Sequence, residues 1–383
     1  MFTRISLKLI AILTLACLHL SGVQAATVPA PEPPQLAARA HVLMDFDSGT
    51  IISEKNGALS MEPASLTKLM TAYVIFAELK AGRIKLTDLV TISEKAWRMG
   101  GSRTFIEVGK QVSIEDLMLG MIVQSGNDAT VALAEHVGGS EEIFANLMNQ
   151  RAQQLGMSNT RFVNSTGMPH PEHITTGMDL ALLTRAIIAE FPEYYRWYSQ
   201  REFTFNNITQ PNRNLLLWRD NTVDGVKTGH TEAAGYCLVA SAQRGDMRLI
   251  SVVLGTKSEN ARAQESQTLL NYGFRFFETH RLYADNQVLT TVPIWKGDAD
   301  ELPLGLAAPL YITIPRGRYN ELKADVKLPP QIMAPAAKGQ PFGSVSVRLD
   351  DTTLADRPLV ALKQIEEGSV FDQLVDEVRL MFE

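Results

Sequence analysis

This 383-residue chain has very little cysteine and no surplus of basic charge. Its two cysteines, Cys17 and Cys237, exclude a disulfide framework and a thiolate-bound metal cluster. Asp and Glu outnumber Lys and Arg by 42 to 36, which gives a formal net charge of −6 at pH 7. An acidic balance disfavours binding to the phosphate backbone, so we expect no nucleic-acid partner.

A membrane-spanning run is missing as well. A spanning helix needs about 20 apolar residues, whereas the apolar run from Leu9 to Leu20 is about 12 residues long. Arg4 and Lys8 precede that run, and Val23-Gln24-Ala25 places small residues at the −3 and −1 positions of a cleavage site. The pattern predicts a secretory signal peptide over residues 1–25, with a retained membrane anchor as the alternative.

The apolar fraction of 45% is ordinary for a folded protein, and the pattern after residue 25 divides the chain further. Residues 26–38 include Pro-Ala-Pro-Glu-Pro-Pro, a stiff spacer in which we expect no packed element. Residues 39–278 begin with a strand, a turn and a strand, continue with apolar residues at helical spacing, and return to strands before a long amphipathic helix. That order predicts an α+β fold in which an antiparallel sheet is covered by helices.

The pattern changes again beyond Glu278. Short β-rich runs separated by Pro, Gly and Asp predict a small all-β domain over residues 279–365. Residues 366–383 then place apolar side chains on one face of a helix: Val370, Phe371, Leu374, Val375, Val378, Met381 and Phe382. We expect this amphipathic helix to lie flat on a membrane surface. Its six acidic residues against one arginine make the contact weak on anionic lipid, and packing against the β domain is the alternative.

Ser65 and Lys68 are the first residues that indicate chemistry. They lie three residues apart at the start of a predicted helix behind Pro63, and so share one helix face. A serine hydroxyl becomes a nucleophile when a base removes its proton, and a lysine is such a base only while it is neutral. Burial and a second nearby cation are the usual causes of a lowered lysine pKa.

Two further motifs supply the groups that this pair needs. Lys227-Thr228-Gly229 on a predicted strand provides the second cation, and we expect Gly229 to let a substrate backbone lie against that strand. Ser125-Gly126-Asn127, in a turn between two predicted helices, adds a hydroxyl to pass protons and an amide to orient substrate. Each motif alone is weak, since a second Ser-x-Asn begins at Ser258, where we expect a helix cap. Their order, with a suitable element under each, is typical of penicillin-binding proteins and active-site serine β-lactamases.

The chain resembles the D-alanyl-D-alanine carboxypeptidases among the low-molecular-mass penicillin-binding proteins, the penicillin-binding protein 5 and 6 group. The similarity extends beyond the three motifs to residues 61–70, 124–129 and 223–231, and it covers essentially the whole mature chain. It implies a penicillin-binding, serine β-lactamase-like transpeptidase domain followed by the small β domain. It also implies a periplasmic D-Ala-D-Ala carboxypeptidase that acts on the stem peptides of cell-wall peptidoglycan and is acylated by β-lactams. Such an enzyme would associate peripherally with the inner membrane and would need no cofactor or metal.

The resemblance also implies a role for each catalytic motif. Ser65 would be the acyl-accepting nucleophile and Lys68 its base. Ser125 would relay protons beside them. The oxyanion hole would use the backbone N–H groups of Ser65 and His230, which are fixed donors aimed at the developing charge.

The resemblance implies a second set of residues that hold substrate. Thr228 and an arginine would bind the terminal carboxylate. Arg262 resembles the family arginine and Arg213 is the weaker candidate, a solvated surface charge being the alternative for either. The implied substrate-binding residues are Asn127, Lys227, Thr228, Gly229, His230 and Arg262.

Rival functions stay open at this point. A β-lactamase or a D,D-endopeptidase would share the fold, and a non-catalytic wall-binding scaffold would share the acylated serine. A lactamase of this kind needs a glutamate that activates the deacylating water. The residues from Gly167 to His170 beside Glu172 resemble the carboxypeptidase loop instead, so we expect slow hydrolysis of penicillin. His170-Pro171-Glu172-His173 does not match the His-Glu-x-x-His zinc motif, so we expect no metal there.

Overall fold

The computed structural model describes residues 30–381, so the predicted signal peptide and the first residues of the predicted spacer lie outside the described residues. The strands within this range are β1 (Ala40–Asp45), β2 (Ile51–Lys55), β3 (Leu89–Thr91), β4 (Gln111–Ser113), β5 (Glu202–Phe205), β6 (Ile208–Pro211), β7 (Val223–Thr231), β8 (Gly235–Arg244), β9 (Met247–Thr256), β10 (Phe277–Tyr283), β11 (Val288–Pro293), β12 (Glu301–Gly305), β13 (Leu310–Pro315), β14 (Leu322–Lys327), β15 (Pro341–Leu349) and β16 (Thr352–Ala361). The α-helices are α1 (Lys68–Lys80), α2 (Glu94–Trp97), α3 (Ile114–Val123), α4 (Asn127–Gly138), α5 (Glu141–Gln154), α6 (Gly177–Glu190), α7 (Pro192–Tyr195), α8 (Leu216–Arg219), α9 (Glu259–Phe276) and α10 (Val370–Leu380). Short 3₁₀ segments lie at Ala64–Thr67, Arg196–Ser199 and Tyr319–Glu321.

The N-terminal domain is built on a five-stranded antiparallel sheet in the order β2-β1-β9-β8-β7. Helix α9 packs on one face of this sheet and α6 on the other, so the central strands are buried almost throughout. Along β9, Ile250 and Val252 enter one core while Leu249 and Val253 enter the other. The predicted antiparallel sheet covered by helices is confirmed.

Helix α1 lies in the centre of the helical part of this domain. Its residues from Lys68 to Phe76 are all buried. A helix without a polar face is enclosed by its neighbours, here α4, α5 and α6. The lysine at its first position is therefore carried into the interior of the domain.

The C-terminal domain contains a second five-stranded antiparallel sheet, β11-β12-β16-β15-β14, and the strand pair β10-β13. Leu304, Val345 and Leu359 belong to its core. The sequence pattern indicates β11, β13, β14 and β15 but not β10, β12 and β16. Strands β12 and β16 contain Pro303 and Pro358, which normally mark strand edges, and β10 follows α9 without a break. The predicted all-β domain itself is confirmed.

Polar side chains join the two domains. Asp45, fully buried at the end of β1, accepts a hydrogen bond from the Ser48 hydroxyl at 2.9 Å. It accepts another from the Thr279 hydroxyl of the C-terminal domain at 2.7 Å. Thr313 Oγ1 lies 2.9 Å from Thr279 Oγ1 and 2.6 Å from Ser48 Oγ, which closes the network.

The described part of the predicted spacer, residues 30–38, contains no helix or strand. It is nevertheless attached to α9. Tyr272 donates a hydrogen bond to the Pro31 carbonyl at 2.8 Å, and the Glu265 carboxylate accepts one from the Ala38 N–H at 2.8 Å. Ala38 is fully buried, so the end of the spacer is already part of the folded domain.

Helix α10 contacts the β domain through its acidic side. The Asp376 carboxylate accepts a hydrogen bond from the Lys296 backbone N–H at 2.7 Å, and Glu377 forms an ion pair with the Lys296 ammonium. The apolar residues point away, since between 55% and 77% of each is exposed: Val370, Phe371, Leu374, Val378 and Met381. The helix thus packs on the β domain and still presents its apolar face. Among residues 30–381, no helix is long and apolar enough to cross a membrane.

Candidate active site

Ser65 lies in the 3₁₀ turn that leads into α1. Two glycines let other segments contact this turn closely. A Cβ on Gly229 of β7 would lie 3.1 Å from the Pro63 carbonyl oxygen, and one on Gly167 would lie 1.7 Å from the Ala64 carbonyl oxygen. Gly229 therefore allows β7 to approach the Ser65 turn, a role that no sequence pattern indicated.

The ammonium group of Lys68 is buried behind Ser65. Its Nζ lies 3.0 Å from Ser65 Oγ, 2.7 Å from Asn127 Oδ1 and 2.7 Å from the Thr166 carbonyl oxygen. The oxygens of Asn127 and Thr166 can only accept hydrogen bonds, whereas a hydroxyl can also donate. A neutral Lys68 therefore donates its two N–H groups to these oxygens and directs its lone pair at the Ser65 hydroxyl.

The pKa of Lys68 suits this task. Burial, and next the positive charge of Arg213, lower the pKa of Lys68 from its usual 10.5 to about 7. A large share of Lys68 is therefore neutral at pH 7. The sequence indicated Lys227 as the neighbouring cation, and the charges of Lys68 and Lys227 do act on each other; Arg213 is a further cation that acts on Lys68. Burial also lowers the pKa of Lys227 well below its usual range, and the nearby charges of Lys68 and Arg213 add to this.

Ser125 lies between α3 and α4 with its hydroxyl facing Lys227. Lys227 Nζ donates hydrogen bonds to Ser125 Oγ at 2.9 Å and to the Thr228 carbonyl at 3.0 Å. The backbone of Ser125 has a φ of 66°, which few residues other than glycine adopt. A Cβ on the following Gly126 would lie 2.1 Å from Thr104 Oγ1. This tight turn brings the serine hydroxyl within reach of the lysine.

Asp128 supports the site from behind, and the motif that contains it predicted no role for this residue. Its fully buried carboxylate accepts hydrogen bonds from the N–H groups of Thr104 at 2.8 Å and Phe105 at 2.9 Å. The N–H of Asn127 donates to the Ser102 carbonyl at 2.7 Å. These bonds hold the loop that contributes Ser102 to the site. The available signal was an aspartate in the first turn of a helix, directly after Ser-x-Asn.

A cleft of about 390 Å³ opens in front of Ser65. Residues that the sequence singled out line it: Ser65, Ser125, Asn127, Arg213, Thr228, Gly229, His230 and Arg262. Lys68 and Lys227 lie behind the cleft wall. Their ammonium groups contact the hydroxyls of Ser65 and Ser125, which line the cleft. The structure adds lining residues that the motifs did not indicate, among them Ser102, Thr166, Met168, Tyr236 and Glu259.

Arg262 faces the cleft from α9. Only 3% of its surface is exposed, and its guanidinium lies 5.6 Å from the centre of the Tyr236 ring. It approaches the carbonyl oxygens of Gly229 at 3.4 Å and Arg213 at 3.5 Å, and the Glu259 carboxylate at 3.5 Å. All three distances exceed those of a good hydrogen bond. The guanidinium therefore keeps the capacity to bind a ligand carboxylate with two parallel hydrogen bonds.

The His-Pro-Glu-His segment is not part of the cleft lining. Glu172 is exposed and lies 3.5 Å from Arg161. His173, in contrast to a simple loop residue, is buried: its Nε2 donates to Thr67 Oγ1 at 2.8 Å and its Nδ1 accepts from the Val163 N–H at 3.2 Å. Burial lowers the pKa of His173 to about 4, so the ring is neutral at pH 7. Within residues 30–381, no group of His, Cys, Asp and Glu is arranged to hold a metal ion.

Known proteins of one family match this chain. The family model described as D-alanyl-D-alanine carboxypeptidase matches residues 27–258, and the one described as penicillin-binding protein 5, C-terminal domain, matches residues 277–367. The D-alanyl-D-alanine carboxypeptidase DacC of Escherichia coli (strain K12) is 47% identical over 92% of this chain and 90% of its own length. The chain belongs to the D-alanyl-D-alanine carboxypeptidase family.

Solved structures place this carboxypeptidase-family chain among the low-molecular-mass penicillin-binding proteins. Penicillin-binding protein 5 from Haemophilus influenzae is 44% identical with a TM-score of 0.85, over 88% of this chain and 100% of that one. Penicillin-binding protein D2 from Listeria monocytogenes, in its ampicillin-bound form, is 30% identical with a TM-score of 0.59, over 64% of this chain and 100% of that one. The predicted family and the predicted fold, a transpeptidase-type domain followed by an all-β domain, are confirmed. The roles of individual residues stay predictions.

Proposed function

We propose that the chain is a serine-type D-Ala-D-Ala carboxypeptidase whose nucleophile is Ser65. The observation that carries this proposal is the 3.0 Å contact between the Ser65 hydroxyl and Nζ of Lys68, a buried lysine whose pKa is lowered to about 7. The 47% identity to a curated D-alanyl-D-alanine carboxypeptidase supports the substrate class, a peptidoglycan stem peptide that ends in D-Ala-D-Ala.

Acylation begins when neutral Lys68 takes the proton of the Ser65 hydroxyl. The serine oxygen attacks the carbonyl carbon of the penultimate D-alanine, and the backbone N–H groups of Ser65 and His230 stabilise the resulting oxyanion. The C–N bond then breaks. The nitrogen of the terminal D-alanine takes up the proton from Lys68, directly or through the Ser125 hydroxyl, and leaves. Water then attacks the carbonyl carbon of the Ser65 ester as Lys68 takes its proton; the ester C–O bond breaks, Lys68 returns the proton to the Ser65 oxygen, and the shortened peptide is released.

The cationic part of the cleft accounts for cleavage at a free C-terminus. Arg262, Arg213 and Thr228 line the cleft, and the ammonium group of Lys227 lies behind it. Arg262 and Thr228 bind the terminal carboxylate, because a guanidinium recognises a carboxylate through two parallel hydrogen bonds. An ordinary internal peptide bond offers no carboxylate at this position. The arrangement therefore favours substrates whose leaving group carries a free carboxylate beside the scissile bond.

β-Lactams are the second class of ligand. The related Listeria monocytogenes protein has been solved with ampicillin bound. In this chain Ser65 would open the lactam ring and retain the product as an ester. Deacylation should be slow, since Glu172 pairs with Arg161 and is not among the residues that line the cleft.

Residues 1–25 direct export of the chain to the periplasm. The mature enzyme associates peripherally with the inner membrane. Support for the membrane contact comes from α10, which contacts the β domain through Asp376 and leaves Phe371 and Leu374 exposed. An apolar helix face of this kind is suited to the boundary between lipid headgroups and acyl chains. The acidic residues of the helix make the association weak on anionic lipid.

Two parallel measurements test the enzymatic proposal: release of D-alanine from a D-Ala-D-Ala-terminated peptide, and covalent labelling by penicillin. The mature chain should do both, and Ser65→Ala should do neither. Ser199→Ala, which alters an exposed serine outside the cleft lining, is the control and should do both. Activity that persists in Ser65→Ala would overturn the assignment of the nucleophile. Labelling without D-alanine release by the unaltered chain would identify a wall-binding scaffold instead.

A further inference from the structure

Glu259 stands out in a cleft whose other strong charges are positive. Among the described residues that line the cleft, Arg213 and Arg262 are cations and Glu259 is the single carboxylate. Lys68 and Lys227 are buried behind the cleft wall. Glu259 is the first residue of α9, and its carboxylate lies 3.5 Å from the guanidinium of Arg262, one turn further along the helix.

Arg262 needs a counter-charge that the rest of its surroundings do not supply. Its guanidinium is almost fully buried, and its other acceptors are the uncharged carbonyl groups of Gly229 and Arg213 at 3.4 and 3.5 Å. Leaving a buried charge without a counter-ion is costly. Glu259 is the anion that the described part of the chain places beside it. Because 56% of the Glu259 side chain is exposed, it can turn into solvent at little cost.

We propose that Glu259 is an exchangeable counter-ion: it pairs with Arg262 in the free enzyme and gives way when the carboxylate of a substrate or a β-lactam arrives. Every anionic ligand then competes with a carboxylate of the enzyme itself. Glu259 is thus a specificity-determining residue that sets affinity for the ligand carboxylate and takes no part in bond breaking. The inference rests on the proposed assignment of Arg262 to the terminal carboxylate.

A purely structural role for Glu259 makes a different prediction. A glutamate in the first turn of a helix interacts favourably with the helix dipole. With that role alone, removing its charge would lower stability but would act equally on ligands with and without a carboxylate. Ligand charge therefore distinguishes the two roles.

The test is Glu259→Gln, which removes the charge and keeps the size of the side chain. KM for a D-Ala-D-Ala-terminated peptide should fall by roughly two- to fivefold with little change in kcat, because a half-exposed ion pair contributes a small free energy. Acylation at low penicillin concentration should accelerate by a similar factor, since penicillin carries a carboxylate. A peptide whose C-terminal carboxylate is converted to a methyl ester should show no change.

Glu232→Gln is the matched control. Glu232 is an exposed acid two residues beyond His230 and outside the cleft lining, so its removal should leave KM unchanged. In an Arg262→Gln background, Glu259→Gln should no longer lower KM. An unchanged KM in Glu259→Gln, an equal effect on the methyl ester, or an undiminished effect without Arg262 would overturn the inference. Failure of the unaltered enzyme to release D-alanine would instead overturn the proposed function.

Discussion

Ser65 Oγ and Lys68 Nζ lie 3.0 Å apart, and residues distant in sequence maintain that contact. Asn127 at the start of α4 and Thr166 in the loop before α6 accept the other hydrogen bonds of Lys68. Gly229 of β7 allows the sheet to press against the turn that carries Ser65. The reactivity of the serine therefore depends on contacts between segments, and several of these can be tested one at a time.

Lys68→Ala should slow acylation at saturating ligand by roughly 10²- to 10⁴-fold, because the general base is removed. Lys80→Ala is the control at the opposite end of α1, where Lys80 donates to the Glu190 carbonyl at an exposed position. Lys227→Ala should weaken binding as well as acylation, since Lys227 belongs to the cationic side of the cleft. Fluorescent penicillin, mixed rapidly with each variant, measures the rates. Near-normal acylation in Lys68→Ala would remove this lysine from the role of base.

The value of kcat/KM should rise with pH through about 7, because the neutral form of Lys68 is the proposed base and its pKa is lowered to about 7. The charge of Arg213 contributes to that lowering, so Arg213→Gln should move the rising limb to higher pH. Arg219→Gln changes an exposed arginine that bonds Asn260 and should leave the limb in place. A limb that does not move in Arg213→Gln would contradict the electrostatic account of Lys68.

Gly167→Ala should damage both stability and activity, whereas Gly156→Ala should have a mild effect. Both glycines have positive φ, 86° and 77°, so each alanine carries a backbone penalty of about 1 kcal/mol. A Cβ at Gly156 meets nothing within 4 Å, but one at Gly167 would collide with the Ala64 carbonyl in the turn beside Ser65. The collision should cost a further 1–3 kcal/mol, roughly, in the free energy of unfolding. Urea unfolding and D-alanine release measure the two effects, and equal losses in both variants would refute the close contact.

Stability should decline as pH falls from 6.5 towards 4, partly through His173. Its ring stays neutral in the folded protein down to about pH 4, while in the unfolded chain it binds a proton below about 6.5. Its contribution is therefore complete above pH 6.5 and is lost below, by up to about 3 kcal/mol. His173→Gln should flatten this decline without abolishing it, because burial lowers the pKa of His41 to about 4 as well. Urea unfolding across the pH range measures this decline. His170→Gln alters an exposed neighbour and should not flatten it. Identical profiles for wild type and His173→Gln would contradict the prediction.

The exposed face of α10 should give weak flotation with zwitterionic liposomes, and flotation should increase as acidic side chains are protonated at lower pH. Replacing Phe371 and Leu374 together by serine should abolish it. Val326→Ser removes an exposed apolar side chain from β14 and should leave flotation unchanged. Equal flotation of the mature chain with and without residues 366–383 would end the anchor hypothesis.

The site residues that could be predicted from the sequence are those that lie in short motifs. Ser65 and Lys68 are one helical turn apart, and the Ser125 and Lys227 motifs each place their residues within three positions. Thr166 could not be found this way, because it acts through a backbone carbonyl that carries no residue preference. Arg213 acts on Lys68 through its charge, and His173 forms a hydrogen bond with Thr67; both depend on the fold bringing distant segments together.

In the fold, too, local patterns could be predicted from the sequence and long-range contacts could not. Strands β8 and β9 could be predicted because each contains an apolar run and the two are separated by a turn at Gly245. No local sequence pattern predicts the pairing of β1 with β9. The general rule that a sheet and its helices share one core predicts that these strands belong to the sheet, but not which strands pair. Strand β16 was not predicted, because about half of it is exposed and polar around Pro358. Most of its buried apolar residues lie at its C-terminal end and are too few to indicate a strand. The orientation of α10 depends on the contacts of Asp376 and Glu377 with Lys296, and it could not be predicted from the width of its apolar face.

The central claim is that Ser65 is the nucleophile, and locating the acyl group tests it most directly. The mature enzyme would be acylated with penicillin, denatured and digested, and the modified peptide sequenced by mass spectrometry. The account predicts a single penicilloyl ester on Ser65, formed by the unaltered enzyme and absent from Lys68→Ala over the same interval. An ester on Ser125 or on another serine, or an adduct at Ser65 that forms equally fast without Lys68, would contradict it.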